Sequence, residues 1–266
     1  MSEGAKRIET ITLPVTPSGM RPLQIVTSGF ALAAMTLLIA GCASGPASPE
    51  PTSSAAPDGS GASPAPVVED DIEAAWLDDG RMVGIVTLGS STCIPIVDEI
   101  AGEGQTVRVS LVDAPAAEGS ESACNADLAP RASVAALPEG VDPAQDVELI
   151  VTLGDITDDV DLDGNPGLTG VPGEATAFEP SAGWFDDQGI VLLTWGSSTC
   201  PPIVESIDQQ VTGATISFAT QDGACTTDMA PRATVIGLSG DIDDDVPFAL
   251  TLTSGGLDAT VDVLAG

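Results

Sequence analysis

Apolar residues in this chain come in short runs, and most of the runs alternate with polar positions. Residues 106–111 alternate with period two, and residues 132–137 and 147–153 do so loosely. The later half has matching runs over 190–195, 214–219, 233–238, 248–253 and 259–264, and 82–88 is a short run nearly continuous in apolar residues. Gly, Asp and Pro clusters close each run. Many short strands separated by turn signals predict an all-β sandwich or barrel. One helical candidate stands apart, residues 96–100 with its later counterpart 204–211.

The pattern is internally repeated. WLDDGRMVGIVTLGSSTCIPIV at 76–97 returns as WFDDQGIVLLTWGSSTCPPIV at 184–204. CNADLAPRASV at 124–134 returns as CTTDMAPRATV at 225–235, and Asp146-Val147 and Asp245-Val246 each open a further apolar run. Two similar β units are therefore expected, over 72–164 and 181–266, joined by a Gly/Pro-rich linker at 165–180. Each is near the size at which one β domain holds a core. Two copies are too few for a propeller or a long solenoid. They read as duplicated domains or as two halves packed together.

What precedes the repeats has a different character. Arg21 and Pro22 lead into an apolar run over 23–40 that stops at Gly41-Cys42. A basic start, an apolar middle and a small residue before a cleavage point make a secretory signal. Leu38-Ile39-Ala40-Gly41-Cys42 matches the bacterial lipobox, so Cys42 is the expected lipidation site and 1–41 the signal peptide. Translation from Met20 instead of Met1 would leave a more compact signal. Two acyl chains on Cys42 would anchor the chain firmly, because each buried CH2 contributes about 0.8 kcal/mol. Residues 43 to about 68 are mostly Ala, Ser, Pro and Gly with only Glu50 and Asp58 as charges, so 42–71 is expected to be a disordered tether after the lipidated Cys.

Composition then removes whole classes of function. The chain has 266 residues, 40 acidic against 7 basic, no His and no Tyr, and a formal net charge of -33. Such a surface repels phosphate backbones, so no nucleic-acid partner is expected. Without His there is no Ser-His-Asp or Cys-His machinery and no imidazole metal ligand. Aromatic residues are 3% of the chain, which leaves few stacking platforms. After cleavage before Cys42 the basic residues are four arginines, Arg81, Arg108, Arg131 and Arg232.

The remaining cysteines are Cys93, Cys124, Cys200 and Cys225. An even number in an exported chain predicts disulfides. Of three pairings the repeat favours one bridge per unit, Cys93–Cys124 and Cys200–Cys225. Each closes a loop of about 25–30 residues, worth roughly 3.5 kcal/mol as lost chain entropy.

Three motifs are candidates for chemistry. Gly-Ser-Ser-Thr-Cys, at 89–93 and 196–200, reads as a nucleophile loop or as a strand-end turn, and the missing base favours the turn. Arg131 and Arg232, in two Ala-Pro-Arg-Ala segments, read either as ligand-binding cations or as structural partners of Asp127 and Asp228, four residues earlier. Asp159, Asp161 and Asp163, followed by Gly164 and Asn165, resemble the start of a calcium loop, although the closing Glu is absent, its place taken by Gly170. Trp76 and Trp184 open the two units and are expected to cap a core or pack on a disulfide.

The lipobox, the Ala/Ser/Pro tether and the Trp…Gly-Ser-Ser-Thr-Cys-Pro-Pro…Cys…Ala-Pro-Arg pattern together resemble exported lipoproteins of actinobacteria. The resemblance spans nearly the whole mature chain and carries no active site with it. It implies a protein held at the outer face of the cell membrane. The residues leave three functions open. The first is a non-catalytic module that binds a small ligand, a wall component or an exported protein. The second is a calcium-dependent adhesion or structural module. The third is a glycan hydrolase built on paired carboxylates. No cofactor is expected beyond weak calcium binding.

Overall fold

A computed structural model describes residues 72–114, 124–240, 242 and 246–266. The expected signal peptide, the Cys42 lipidation site and the tether to residue 71 lie outside the described residues. Both repeats fall within one compact body. Among the described residues the fold is all-β, with one short 3-10 turn. The strands of the first repeat are β1 (Glu73–Leu77), β2 (Met82–Gly89), β3 (Pro95–Glu103), β4 (Thr106–Asp113), β5 (Ala129–Ala136), β6 (Val147–Leu153) and β7 (Ile156–Leu162). Those of the second are β8 (Ser181–Asp186), β9 (Gly189–Gly196), β10 (Val204–Gln210), β11 (Gly213–Phe218), β12 (Ala230–Gly237), β13 (Ala249–Ser254) and β14 (Ala259–Leu264).

The repeat in sequence is a repeat in topology. In the first, β1-β2-β5 form one sheet and β3-β4-β6-β7 another. The second has the equivalent sheets, β8-β9-β12 and β10-β11-β13-β14, merged into one seven-stranded sheet by parallel pairing of β14 with β8. Within each four-stranded set the second and third strands pair in parallel, β4 with β6 and β11 with β13, and its other neighbours pair antiparallel. Trp184, Ile190 and Ile236 at one end of the seven-stranded sheet share a core with Ile216, Leu250 and Leu252 at the other. A single sheet can bring both its ends to one core only by curling.

The near-continuous apolar runs now have a cause. A strand buried on both faces has no polar side to show. Along β2, Val83 and Ile85 point into the core of their own repeat, while Met82 and Val86 point the other way, against Val191 and Leu193 of β9. In β9, Ile190 and Leu192 face their own core. The inner sheets β1-β2-β5 and β8-β9-β12 therefore pack on each other, and the outer sheets carry the solvent-facing sides.

The packed inner faces are complementary although they are built from repeated sequence. Gly84 sits where β9 has Val191, and a Cβ on Gly84 would meet Val191 Cγ1 at 2.8 Å. Gly183 sits where β1 has Ala75, and a Cβ there would lie 2.1 Å from the Trp76 carbonyl oxygen. One face offers a valine knob where the other offers a glycine hole.

The linker is tied down as well. The turn between β1 and β2 holds Asp78 and Asp79 with φ of 50° and 55°. Asp79 accepts from Thr169 N at 2.9 Å and Thr169 Oγ1 at 2.8 Å, and Gly170 N donates to Asp79 O at 2.8 Å. Asp78 N donates to Ser181 Oγ at 2.8 Å, joining the turn to the start of β8.

Two segments of the sequence reading take a different form here. The helical candidates at 96–100 and 204–211 are edge strands, β3 and β10. Each carries a bulge, between Val97 and Glu99 in β3 and between Val204 and Ser206 in β10. In β3 the extra residue puts Val97 and Ile100, three apart, on the same core-facing side. That is the spacing of a helix face in the backbone of a strand. The calcium-loop candidate begins on a strand, and only Asp163 of its three aspartates lies beyond the end of β7. Asp159 and Asp161 lie on β7, paired with Ile150 and Glu148 of β6. Alternate strand residues share a face roughly 6.6 Å apart and do not converge as loop ligands must.

Candidate functional site

The repeated chemistry collects where each β2- or β9-type strand ends. Cys93 is bonded to Cys124 and Cys200 to Cys225, each with Cα atoms 5.6 Å apart. Each bridge clamps a Gly-Ser-Ser-Thr-Cys loop to the segment leading into β5 or β12.

In the first repeat the loop closes through Asn125 and Asp127. Ser91 N and Ser91 Oγ donate to the two Asp127 oxygens at 3.0 and 2.6 Å. Asn125 Nδ2 donates to Ser91 Oγ at 3.0 Å, and Asn125 Oδ1 accepts from Ser90 Oγ and, at 3.1 Å, from Thr92 Oγ1. The second repeat builds the same loop with Thr226 in place of Asn125. Ser197 Oγ and Thr226 Oγ1 are 2.8 Å apart, Thr226 Oγ1 donates to Asp228, and Ser198 N lies 3.2 Å from Asp228 Oδ1.

These bonds set the carboxylate chemistry. The Thr226 hydroxyl, then that of Ser198, holds Asp228 down at about 2. The Ser91 hydroxyl and then the Ser91 N–H hold Asp127 below the ordinary aspartate value. A carboxylate stabilised in this way is a weak base near neutrality, so it is poorly matched to taking a proton from the serine it holds. What the arrangement does well is fix the loop.

The arginines do not pair with these aspartates. Arg131 donates through Nη1 to the Cys93 carbonyl and through Nε to Thr87 Oγ1 at 3.3 Å. Arg232 donates through Nη1 to Cys200 O at 3.1 Å and through Nη2 to Trp195 O at 2.8 Å. Burial lowers the Arg232 pKa and Asp228 partly restores it, without an ion pair forming. In place of a pairing with Asp127 and Asp228, each arginine caps carbonyls around its own disulfide loop. Among the described residues the arginine that does meet a carboxylate is Arg81, 3.3 Å from the buried Asp78.

The other candidates are spread elsewhere. Asp161 and Asp163 line a cleft of about 200 Å³ between the repeats with Glu73, Asp186 and Asp187. Asp159 is exposed on the outer sheet. No cluster of three metal-ligating side chains forms among the described residues. Trp76 is fully buried in the first core and donates from Nε1 to Asp163 O at 2.9 Å. Trp184 packs edge-on against Phe248, with ring centroids 5.2 Å apart. Trp195 meets Phe178 edge-on at 5.0 Å.

Sequence reasoning missed the surface on which both disulfide loops converge. Ile94 and Ile96, just beyond Cys93, and Ser198 and Pro201, on either side of Cys200, line one groove of about 390 Å³. Its floor comes from β5 and β12, and none of the residues lining it is acidic. The size falls in the range of about 300–1,000 Å³ typical of ligand sites. Around the same end Leu128 and Met229, at equivalent positions, are 71% and 59% exposed, and Ile203 is 54% exposed. The signal was in the sequence as repeated apolar residues beside each cysteine, but their meeting depends on how the repeats pack.

No family model, curated protein or solved structure matches the chain. No helix among the described residues is long and apolar enough to cross a membrane.

Proposed function

We propose that this chain is a lipid-anchored, non-catalytic binding module of the outer cell surface. In this reading it is made of two copies of one β unit, duplicated and packed through their inner sheets. Cys42 carries the anchor and residues 42–71 act as the tether. The observation that carries the reading is the groove between the two disulfide loops. It is apolar and free of carboxylates on a chain with 40 acidic residues. Exposed apolar surface concentrated in one place marks an interaction site. The loop hydroxyls and carboxylates around it are bonded to each other, which suits a fixed rim better than a reacting centre.

Two measurements test this. Fatty-acid labelling of the full chain in an actinobacterial host should mark the wild type and leave Cys42→Ala unlabelled and released from the membrane fraction. An environment-sensitive apolar dye should bind the full chain, with binding weakened in Ile94→Ser/Ile96→Ser and unchanged in Val211→Ser, whose residue is 94% exposed at a remote hairpin. Equal dye binding by all three proteins would remove the groove as the functional surface.

A further inference from the structure

Resting on that reading, we infer that the groove between the disulfide loops takes an extended, apolar segment of another protein flanked by Lys or Arg. The argument is one of charge and shape. The lining is apolar except for Ser133, Ser198 and Arg232. Ser133 is buried and donates to Pro95 O at 2.7 Å, and Arg232 spends two of its nitrogens on the Cys200 and Trp195 carbonyls, so the donors of both are directed at the protein's own backbone.

Beyond the lining the sign changes. Asp98 and Glu99 follow the groove residues on β3 and are exposed, and Glu205 follows Val204 on β10 and is exposed. Asp127 and Asp228 stand one residue before the exposed Leu128 and Met229. The site is a mostly apolar trough, with one carbonyl-capped guanidinium in its wall and a carboxylate rim, set in a chain of net charge -33.

That pattern selects among occupants. A second copy would bring an equally acidic rim against this one, and like charges across an interface are costly. An anionic lipid surface would meet the same repulsion. A peptide with apolar residues at its centre and cations at its ends meets apolar surface with apolar surface and carboxylate with cation. The acidic field would also speed its approach. The groove runs between strands, from Ile96 and Val97 on β3 past the middle of β5 to Pro231 on β12, which suits a chain in extended form.

The test uses the full chain and labelled decapeptides read by fluorescence anisotropy. One peptide has a valine, proline and isoleucine centre flanked by two arginines at each end. A second keeps the arginines with a serine centre, and a third keeps the apolar centre with glutamate flanks. The first should bind, with affinity falling as salt rises. The other two should bind at least about tenfold more weakly. Ile94→Ser/Ile96→Ser should weaken the first peptide by a similar factor, with Val211→Ser unchanged. The milder Ile96→Ser should weaken it in part if the double variant unfolds.

Equal binding of the serine-centred peptide would overturn the proposal in favour of charge attraction alone. Equal binding of the glutamate-flanked peptide would overturn the cationic specificity. Self-association in sedimentation that disappears in Ile96→Ser would assign the groove to a second copy instead. Ile96-dependent binding to phosphatidylglycerol vesicles would assign it to lipid. Dye binding at the groove without binding of any peptide would overturn this occupant and leave the binding-module reading standing. Loss of both would remove both.

Discussion

The arginine after each Ala-Pro pair is held differently in the two repeats. Arg131 shares Nε with Thr87 Oγ1, so the buried hydroxyl and the guanidinium satisfy each other. The equivalent groups of the second repeat, Arg232 Nε and Thr194 Oγ1, are both buried and without a hydrogen-bond partner. In exchange Arg232 caps two carbonyls, adding that of Trp195 at the position where the first repeat has Leu88. The same motif therefore anchors the loop in both halves, but the first half spreads its bonds between side chain and backbone, and the second puts them on backbone alone. A buried polar group left alone costs about 1–3 kcal/mol. The second repeat should accordingly carry more local strain beside its half of the groove.

Three perturbations break or sharpen this comparison. Removing either disulfide by paired Cys→Ser change should have the largest effect, about 3.5 kcal/mol each in chemical denaturation. The two loops, with separations of 31 and 25 residues, are so alike in length that chain entropy predicts nearly equal losses. A clearly smaller loss for Cys200→Ser/Cys225→Ser would mean that the Arg232 carbonyl caps hold their loop without the bridge.

The threonines come next. Thr87→Val should destabilise by about 1.5–3 kcal/mol, since it removes a bond to a charged donor. Thr194→Val removes a hydroxyl that already lacks a partner, so it should be neutral or stabilising by up to about 1 kcal/mol. Equal losses at both sites, read from denaturant midpoints, would show that the two arginines are held alike in solution.

Acid gives the smallest effect. Asp228 is ionised in the folded chain down to about 2, whereas its ordinary value is 3.8. Its folded-state pKa is depressed, so its contribution is fully present above pH 4 and fades as the pH falls toward 2. Asp228→Asn should lower the thermal midpoint slightly at pH 7 and leave it nearly unmoved near pH 2, which flattens its dependence on pH in that window. An unchanged slope would mean that the Thr226 and Ser198 hydroxyls do not hold the carboxylate in solution. The group is exposed, so the change should stay small.

Much of the fold was legible because burial writes itself into residue order. The runs at 147–153 and 259–264 coincide with β6 and β14, and the disulfides follow from the repeat. The misreadings have physical sources. A bulge turned the alternation of β3 into apparent helix spacing. Asp at every second position of β7 served equally as the outward face of an edge strand and as the start of a calcium loop. β1 and β8 are short and covered on both sides, so neither shows alternation. The role of Arg131 and Arg232 could not be read because their partners are carbonyls, which every residue carries. The groove depends on β5 and β12 meeting across the two repeats, a distance that no local pattern encodes.

The double-sided burial of β2 and β9 has a consequence in time. A chain that emerges from one end makes β1, β2 and β5 before β8, β9 and β12 exist to cover them. Until then Leu77, Met82 and Val86 stand bare on the open side of the first inner sheet. The second repeat waits longer still, because β8 finds its parallel neighbour only when β14 arrives. Pairings so distant along the chain are slow to form. The interval in which the first half is made but uncovered is the period when this protein is most exposed to aggregation and proteolysis, and a holding chaperone would matter most there.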